Sequence, residues 1–136
     1  MGCEVFYVDA SCCHQCNKGV WAVVTPYKQY TGRINEYECQ DGLSSGYCEL
    51  KAVEQAIMLA MNRDDYVTIY CDNKSVVKSL NRNCLDENRS YGKYGYNLLL
   101  ENVFWLYKCA SNVSVKWISR KENKLADKLA KRNKFW

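Results

Sequence analysis

The stretch Glu4-Val-Phe-Tyr-Val-Asp9 gives the first clear strand signal in this sequence. The alternation of a strand puts Val5, Tyr7 and Asp9 on one face, and the apolar residues between them on the other. The strand is expected to end on Asp9. Because reactive groups in α/β sheets collect beyond strand ends, this carboxylate is the first candidate for a functional side chain.

Two more strands are predicted over Gly19–Thr25 and over Gln29 to about Cys39, and the three form an antiparallel meander. Apolar residues at helical or strand spacing predict the remaining elements. In chain order these are a helix from Tyr47 to about Asn62, a strand over Tyr66–Cys71, a short helix over Lys74–Leu80, a helix from about Tyr96 to Ala110, a strand over Val113–Ile118, and a last helix after the capping-box pattern Ser119-Arg-Lys-Glu122. This order predicts an α/β fold, a five-stranded mixed sheet in which two parallel strands join the meander, with helices on both faces.

The length of 136 residues suits one domain, so residues 1–136 are expected to form a single domain. A mean hydropathy of −0.44 is typical of a soluble globular protein. No apolar run approaches the roughly 20 residues of a membrane helix, and the first ten residues lack a secretory signal pattern. Phe6 stands where a myristoylation signal needs Ser or Thr. The chain is therefore expected to be cytoplasmic and monomeric, without a membrane partner.

The net charge of +4 fits a polyanionic partner without requiring one. The nine cysteines are odd in number and scattered, which favours reduced thiols over a disulfide framework. The densest group, Cys12-Cys13-His14-Gln15-Cys16, contains zinc-ligand side chains, but zinc sites usually combine two spaced pairs, and a second pair is missing. The preferred interpretation is a turn rich in small residues.

Three further carboxylates stand at notable positions. Asp72 closes the fourth predicted strand, where it could also be the N-cap of the next helix. Glu49 extends the buried stripe of Val53 and Ala56, and an ionised group there is costly unless it is paired, hydrogen-bonded or bound to a metal. Asp127 borders the apolar face of the last helix, near the N-terminal end that favours negative charge, and its alternative role is a solvated position beside lysines.

Together these residues and their local sequences resemble the type-I ribonuclease H family, which has Asp, Glu, Asp and Asp in the same succession of elements. Four segments carry the resemblance: Val5-Phe-Tyr-Val-Asp9-Ala-Ser11 is similar to the first-strand motif with Asp-Gly-Ser, Cys48-Glu49-Leu50-Lys-Ala52 to Met-Glu-Leu-x-Ala, Ile69-Tyr-Cys-Asp72-Asn73 to a strand that ends in Asp-Ser, and Glu122-Asn-Lys-Leu-Ala-Asp127-Lys-Leu-Ala130 to Glu-Asn-x-x-Ala-Asp-x-Leu-Ala. The resemblance spans about residues 4–132 and implies the ribonuclease H-like fold.

The resemblance also implies an endonuclease that cuts the RNA strand of RNA–DNA hybrids and leaves 5′-phosphate and 3′-hydroxyl ends. The catalytic residues and the metal ligands would be the same four, Asp9, Glu49, Asp72 and Asp127. Carboxylate oxygens suit two Mg²⁺ ions about 4 Å apart, with Mn²⁺ as an alternative. Asp9 would bridge both ions, and Glu49 and Asp72 would complete the set. Asp127 would hold the ion that activates the attacking water.

The substrate contacts implied by the resemblance are less complete than the metal ligands. They would come from Ser11, Ser44, Ser45, Asn73, Lys74 and Lys116. Recognition of the backbone and of 2′-hydroxyls would select the hybrid. Family members often carry two asparagines before the catalytic glutamate, where this chain has Ser45 and Gly46. The basic protrusion of some members has no room between Leu80 and Tyr96, so further binding would rest on dispersed groups such as Lys78.

Other departures from the family concern a histidine and the tryptophans. The loop histidine that many members carry before the last helix is absent from Ser119–Asn123, and the only histidine, His14, is expected at the surface. Trp21, Trp105 and Trp117 lie in predicted elements and are expected in the core. Two alternatives stay open: a catalytically weak or inactive nucleic-acid-binding module, and a nuclease for duplex RNA or DNA. The four retained carboxylates favour an enzyme, because a module without metal has no evident reason to cluster like charges.

Overall fold

The computed structural model describes residues 2–13, 17–34, 44–85 and 94–132, and these form one five-stranded sheet. The strands are β1 (Cys3–Cys13), β2 (Lys18–Val24), β3 (Gln29–Ile34), β4 (Tyr66–Cys71) and β5 (Val113–Trp117), in the spatial order β3-β2-β1-β4-β5. β2 pairs antiparallel with both β1 and β3, whereas β4 runs parallel to both β1 and β5. The predicted mixed sheet is confirmed.

The described helices are α1 (Ser45–Ala60), α2 (Lys74–Leu80), α3 (Tyr94–Cys109) and α4 (Lys124–Arg132). The alternation along β1 decides which core each side chain joins. Phe6 and Val8 enter the large core with α1, α2 and α3, whereas Tyr7 packs on the other face, beside Ala126 and Leu129 of α4. Burying a large apolar side chain stabilises the fold by roughly 1.5–3 kcal/mol. The prediction of helices on both faces is confirmed.

β1 is longer than predicted, and the expectation that it ends at Asp9 is wrong. Its antiparallel pairing with β2 continues to Cys13, which lies opposite Lys18. The parallel pairing with β4 stops earlier, at Tyr7 opposite Tyr70. Asp9 therefore lies where β1 still pairs with β2 but no longer pairs with β4. The carboxylate of Asp9 is placed next to the end of β4, not at the end of β1.

The starts of two helices, α1 and α4, differ from the predictions, and side-chain hydrogen bonds show why. α1 starts two residues before the predicted Tyr47, because the Ser44 hydroxyl oxygen accepts a hydrogen bond from the N–H of Tyr47 at 3.2 Å as an N-cap. The predicted capping box at Ser119 is wrong, because its hydroxyl donates to the Glu122 carboxylate at 3.1 Å and caps no backbone N–H. The backbone there forms a 3₁₀ turn, and α4 begins only at Lys124.

Some predictions fall partly outside the described ranges. Cys12 and Cys13 belong to β1, but His14 and Cys16 are outside, so the choice between a zinc site and a turn stays a prediction. The predicted continuation of the third strand beyond Ile34 is outside as well. Within the described ranges, no helix is both long enough and apolar enough to cross a membrane.

Candidate metal centre

Asp9 and Asp72 are brought together by the register of two parallel strands. Tyr7 lies opposite Tyr70 in the β1–β4 pair, and their rings stack at 5.7 Å on the face that α4 covers. Two residues further along, the same register sets Asp72 beside Asp9 on that face. Both carboxylates thus lie at the carboxyl end of β4, where the ladder between the strands has ended.

Glu49 joins this pair from the first turns of α1. One carboxylate oxygen from each of Asp9, Glu49 and Asp72 lies within 4.8 Å of the other two. The protein interior next to Glu49 is apolar and closed to solvent, since Cys48 in α1 and Cys71 at the end of β4 are both fully buried. Burial raises the pKa of the Cys71 thiol, which stays protonated and donates to Glu49 Oε2 at 3.9 Å. Three of the four predicted carboxylates therefore form one compact group.

Asp127 approaches the group from α4, which covers the face of the sheet opposite α1. Asp127 lines the same cleft as Asp9 and Glu49, and its negative charge contributes to the raised pKa of Asp9. Its Oδ2 also pairs with Lys131 Nζ at 3.1 Å, one helical turn further on. Asp127 is thus next to the compact group and is held there by a cation of its own helix.

Burial and mutual repulsion dominate the electrostatics of the group. Burial, then the negative charges of Asp72 and Asp127, raise the pKa of Asp9 to about 7, although Ala10 N–H donates to Asp9 Oδ1 at 2.8 Å and acts in the opposite direction. Burial and the charges of Asp9 and Asp72 raise the pKa of Glu49 to about 8, against the attraction of Arg120. Near neutral pH the group therefore retains protons unless a cation replaces them.

The donor set fits a divalent cation. Burial and mutual repulsion keep protons on Asp9 and Glu49 near neutral pH when no cation is bound. A cation can displace those protons, as metal binding to protonated ligands generally does. Mg²⁺ and Mn²⁺ prefer carboxylate oxygens, and the described ligand atoms are all carboxylate oxygens.

Asn123 is a functional candidate to which the sequence reasoning assigned no role. Its side chain is 1% exposed, and its Nδ2 donates to Val8 O at 2.7 Å and to Asp72 Oδ2 at 3.3 Å. Its backbone carbonyl accepts from Asp127 N at 3.1 Å. One amide residue thus connects the three segments that carry Asp9, Asp72 and Asp127. The asparagine of the quoted Glu-Asn-x-x-Ala-Asp segment was the available signal.

The helix caps change the interpretation of several predicted residues. Asn73, not Asp72, is the N-cap of α2, since its Oδ1 accepts from Val76 N at 3.2 Å. The alternative role of Asp72 as a cap is therefore wrong, and its carboxylate can serve the cluster. Ser44, predicted as a substrate contact, likewise caps α1, whereas Ser11 and Ser45 line the cleft next to Asp9.

The predicted core positions of two tryptophans are wrong. Trp105 is 60% exposed and Trp117 is 43% exposed, because each sits on the outward side of its element, while Trp21 is partly buried against the large core. Trp117 Nε1 donates to Asp72 O at 3.2 Å, and Lys74 Nζ lies 4.5 Å from the centroid of its ring. Lys116, the remaining predicted contact, is exposed on β5, where strand alternation directs it to the opposite face of the sheet from Trp117.

Comparisons with known proteins agree with this architecture. The family model described as Reverse transcriptase-like matches residues 8–133. Among curated proteins, none matches the chain significantly.

Solved structures show the same fold at low sequence identity. Ribonuclease H1 from the halophilic archaeon Halobacterium salinarum NRC-1 is 18% identical, with a TM-score of 0.69 over 96% of both chains. LC11 ribonuclease H1, isolated from compost by a metagenomic approach, is 16% identical, with a TM-score of 0.74 over 98% of this chain and 96% of that one. The foamy viral protease-reverse transcriptase in complex with RNA/DNA hybrid is 20% identical, with a TM-score of 0.70 over 97% of this chain and 20% of that one. The ribonuclease H-like fold expected from the sequence is confirmed.

Proposed function

This chain belongs to the reverse transcriptase-like family, and we propose that it is an endonuclease that hydrolyses the RNA strand of RNA–DNA hybrids. The observation that carries the proposal is the approach of Asp9, Glu49 and Asp72, with one oxygen of each within 4.8 Å of the others. Two structural neighbours are ribonuclease H1 proteins, and a third was solved with an RNA/DNA hybrid. Cleavage would leave 5′-phosphate and 3′-hydroxyl ends. The enzyme would act as a monomer of one domain, residues 1–136, in the cytoplasm.

Two Mg²⁺ ions are the proposed cofactors, with Mn²⁺ as the alternative. Asp9 would contact both, Glu49 and Asp72 would complete the set, and Asp127 would contribute from α4. Such ions, when bound, lower the pKa of an attacking water and stabilise the leaving 3′ oxygen.

The other residues of the site would hold the carboxylates in place. Lys131 pairs with Asp127 at 3.1 Å and restrains its carboxylate beside the cleft. Asn123 donates to Asp72 Oδ2 at 3.3 Å and fixes its orientation. Loss of a residue that hydrogen-bonds to a metal ligand commonly lowers metal affinity by about tenfold or more.

Substrate contacts are proposed around the cleft and at its mouth. Ser11 and Ser45 line the cleft, Lys74 would meet phosphates beside Trp117, and Lys116 would do so from the other face of β5. Ser44 and Asn73 cap their helices through acceptor oxygens alone. The hydroxyl group of Ser44 and the side-chain NH₂ group of Asn73 can therefore still donate hydrogen bonds to phosphates. These groups read backbone rather than base edges, so we expect little sequence preference.

The test is a cleavage assay on end-labelled RNA–DNA hybrid, duplex RNA and duplex DNA, with Mg²⁺ or with a chelator. We expect cutting of the RNA strand of the hybrid only with the metal, and at least about 1,000-fold loss in Asp72→Asn, roughly 4 kcal/mol in the barrier. The matched control is Asp64→Asn, the same change at an exposed residue just before the N-terminal end of β4. Cleavage by Asp72→Asn within about tenfold of the parent would contradict the assignment. Hybrid binding without any cleavage would favour the binding-module alternative.

A further inference from the structure

One exposed face of α4 carries four basic side chains and no acidic one. Lys124, Lys128, Lys131 and Arg132 are all exposed. At 3.6 residues per turn they fall within an arc of roughly 100°, opposite the side that packs on the sheet. We refer to these four residues as the α4 strip.

The region around the strip accounts for the whole net charge of the chain. From Arg120 to Arg132 the sequence has six basic and two acidic residues, a net charge of +4, which equals that of the full chain. Elsewhere the two signs therefore balance. Protein surfaces ordinarily intersperse positive and negative side chains, so solubility alone does not explain this concentration.

Most of this positive charge has no partner within the described part of the chain. Lys131 pairs with Asp127, but Lys124, Lys128 and Arg132 make no ion pair with another described residue. Like charges at i and i+4 slightly destabilise a helix. An external polyanion would offset this repulsion.

The strip adjoins the carboxylate cleft. Lys131 lines that cleft together with Arg120, Asp127 and Asp9, and the rest of the strip continues along α4. From Lys124 to Arg132 the helix rises about 12 Å. A nucleic-acid duplex carries about one phosphate per 1.7 Å of its axis, so several phosphates can lie along this distance.

We propose that the α4 strip is a phosphate-binding surface, which holds the backbone of a nucleic-acid duplex beside the carboxylate cleft. The inference rests on the proposed function for the identity of the duplex, an RNA–DNA hybrid. Because the contacts are to phosphates, binding is independent of sequence and weakens steeply with salt. The strip thereby orients the duplex so that one strand enters the cleft.

The test measures binding of the hybrid while its cleavage is blocked. Fluorescence anisotropy of a labelled hybrid is followed as the salt concentration rises, with every variant made in an Asp72→Asn background in Mg²⁺ buffer. Lys124→Gln/Lys128→Gln is compared with Lys28→Gln/Lys108→Gln, which removes the same charge at exposed lysines outside α4. At about 0.1 M salt the strip variant is expected to bind roughly 10- to 100-fold more weakly, and its slope of log K against log salt to fall by about 2. The matched variant should stay within about threefold of the background.

Equal binding by the two double variants would overturn the inference, whatever the cleavage assay shows. A chain that binds the hybrid through the strip but cuts nothing would support the inference and contradict the proposed function, so the two failures can be told apart. Vesicles of phosphatidylserine serve as a parallel arm. Strip-dependent binding to vesicles, with hybrid binding unchanged in the strip variant, would overturn the inference in favour of a membrane surface.

Discussion

The carboxylate cleft and the α4 strip are neighbouring regions of opposite charge, and they differ most in exposure. Asp9 in the cleft is 5% exposed, whereas the cations of the strip are open to water. In the cleft, low solvent access makes like charges interact strongly and raises the pKa of Asp9 to about 7. On the strip, water and salt screen each charge beyond about 10 Å. The buried carboxylate cleft therefore suits a small cation in direct contact with its oxygens. The exposed α4 strip suits a polyanion, which several of its charges can attract at once.

Asp9→Asn is expected to give the largest difference between the two regions, because it should abolish cleavage at the cleft and leave duplex binding at the strip intact. Removal of a carboxylate that touches both proposed metal positions is expected to reduce hybrid cleavage by at least about 1,000-fold, while the strip still binds the duplex. Without metal, the thermal stability of the variant should stay level or rise, because one source of repulsion is gone. Cleavage rates, anisotropy and thermal unfolding in chelator test the three parts. A variant that loses duplex binding along with cleavage would show that the two regions do not act independently.

The stability of the metal-free chain should depend on pH through the cleft and not through the strip. The pKa values of Asp9 and Glu49 are raised to about 7 and about 8, so the folded state binds more protons than the unfolded state above about pH 4. The free energy of unfolding is then highest below the ordinary carboxyl pKa and falls as pH rises to about 8. The loss is on the order of a few kcal/mol, since one pKa unit corresponds to about 1.4 kcal/mol.

Urea unfolding in chelator at pH 5 and pH 8 measures this loss. Mg²⁺ should restore stability at pH 8, because the ion replaces the missing protons, and Glu49→Gln should flatten the dependence. The matched control is Glu54→Gln, a change on the same helix at a residue that pairs with Lys51 at 3.4 Å, away from the cleft. Stability that increases from pH 5 to pH 8 without metal would contradict the raised pKa values.

Two asparagines at opposite ends of the sheet offer a finer comparison. Asn123 donates to Val8 O and to the Asp72 carboxylate, whereas Asn112 donates to three backbone carbonyls, at 2.9 to 3.1 Å, far from the cleft. Replacement of either by Ala removes these hydrogen bonds and should cost roughly 1–3 kcal/mol of stability. Only Asn123→Ala should also reduce cleavage, by roughly 10- to 100-fold, and raise the Mg²⁺ concentration needed for half-maximal rate. Equal Mg²⁺ dependence in the two variants would make Asn123 purely structural.

The order of the elements and the mixed sheet could be predicted because each element leaves a local pattern. Alternation revealed the strand that contains Asp9, and helical spacing revealed the stripe that Glu49 extends. The end of β1 could not be read in this way, because Cys12 and Cys13 continue the strand through pairing with β2, which is a non-local effect.

Side-chain roles were harder to predict than element types. Asn73 and Ser44 are polar residues just before helices, a position that suits both caps and substrate contacts, and only the hydrogen bonds distinguish the two. Trp105 and Trp117 lie in a helix and a strand as predicted, but their exposure depends on which neighbours cover that side of the element. The spacing of the α4 strip, by contrast, is visible in the sequence. Lysines of this helix entered the sequence analysis only as neighbours of a solvated Asp127.

His14→Ala is expected to have the smallest effect, a change in cleavage rate of less than about threefold, or roughly 0.7 kcal/mol in the barrier. His14 is the only histidine and lies outside the described residues. The segment Ser119–Asn123, next to the cleft, has no side chain with an ordinary pKa near neutrality. A water activated by metal would have to supply the nucleophile, so the rate should climb with pH through the alkaline range, with the same profile in parent and variant. A bell-shaped profile with a limb near pH ~6.5 that disappears in His14→Ala would instead place the imidazole at the cleft as a proton donor or acceptor.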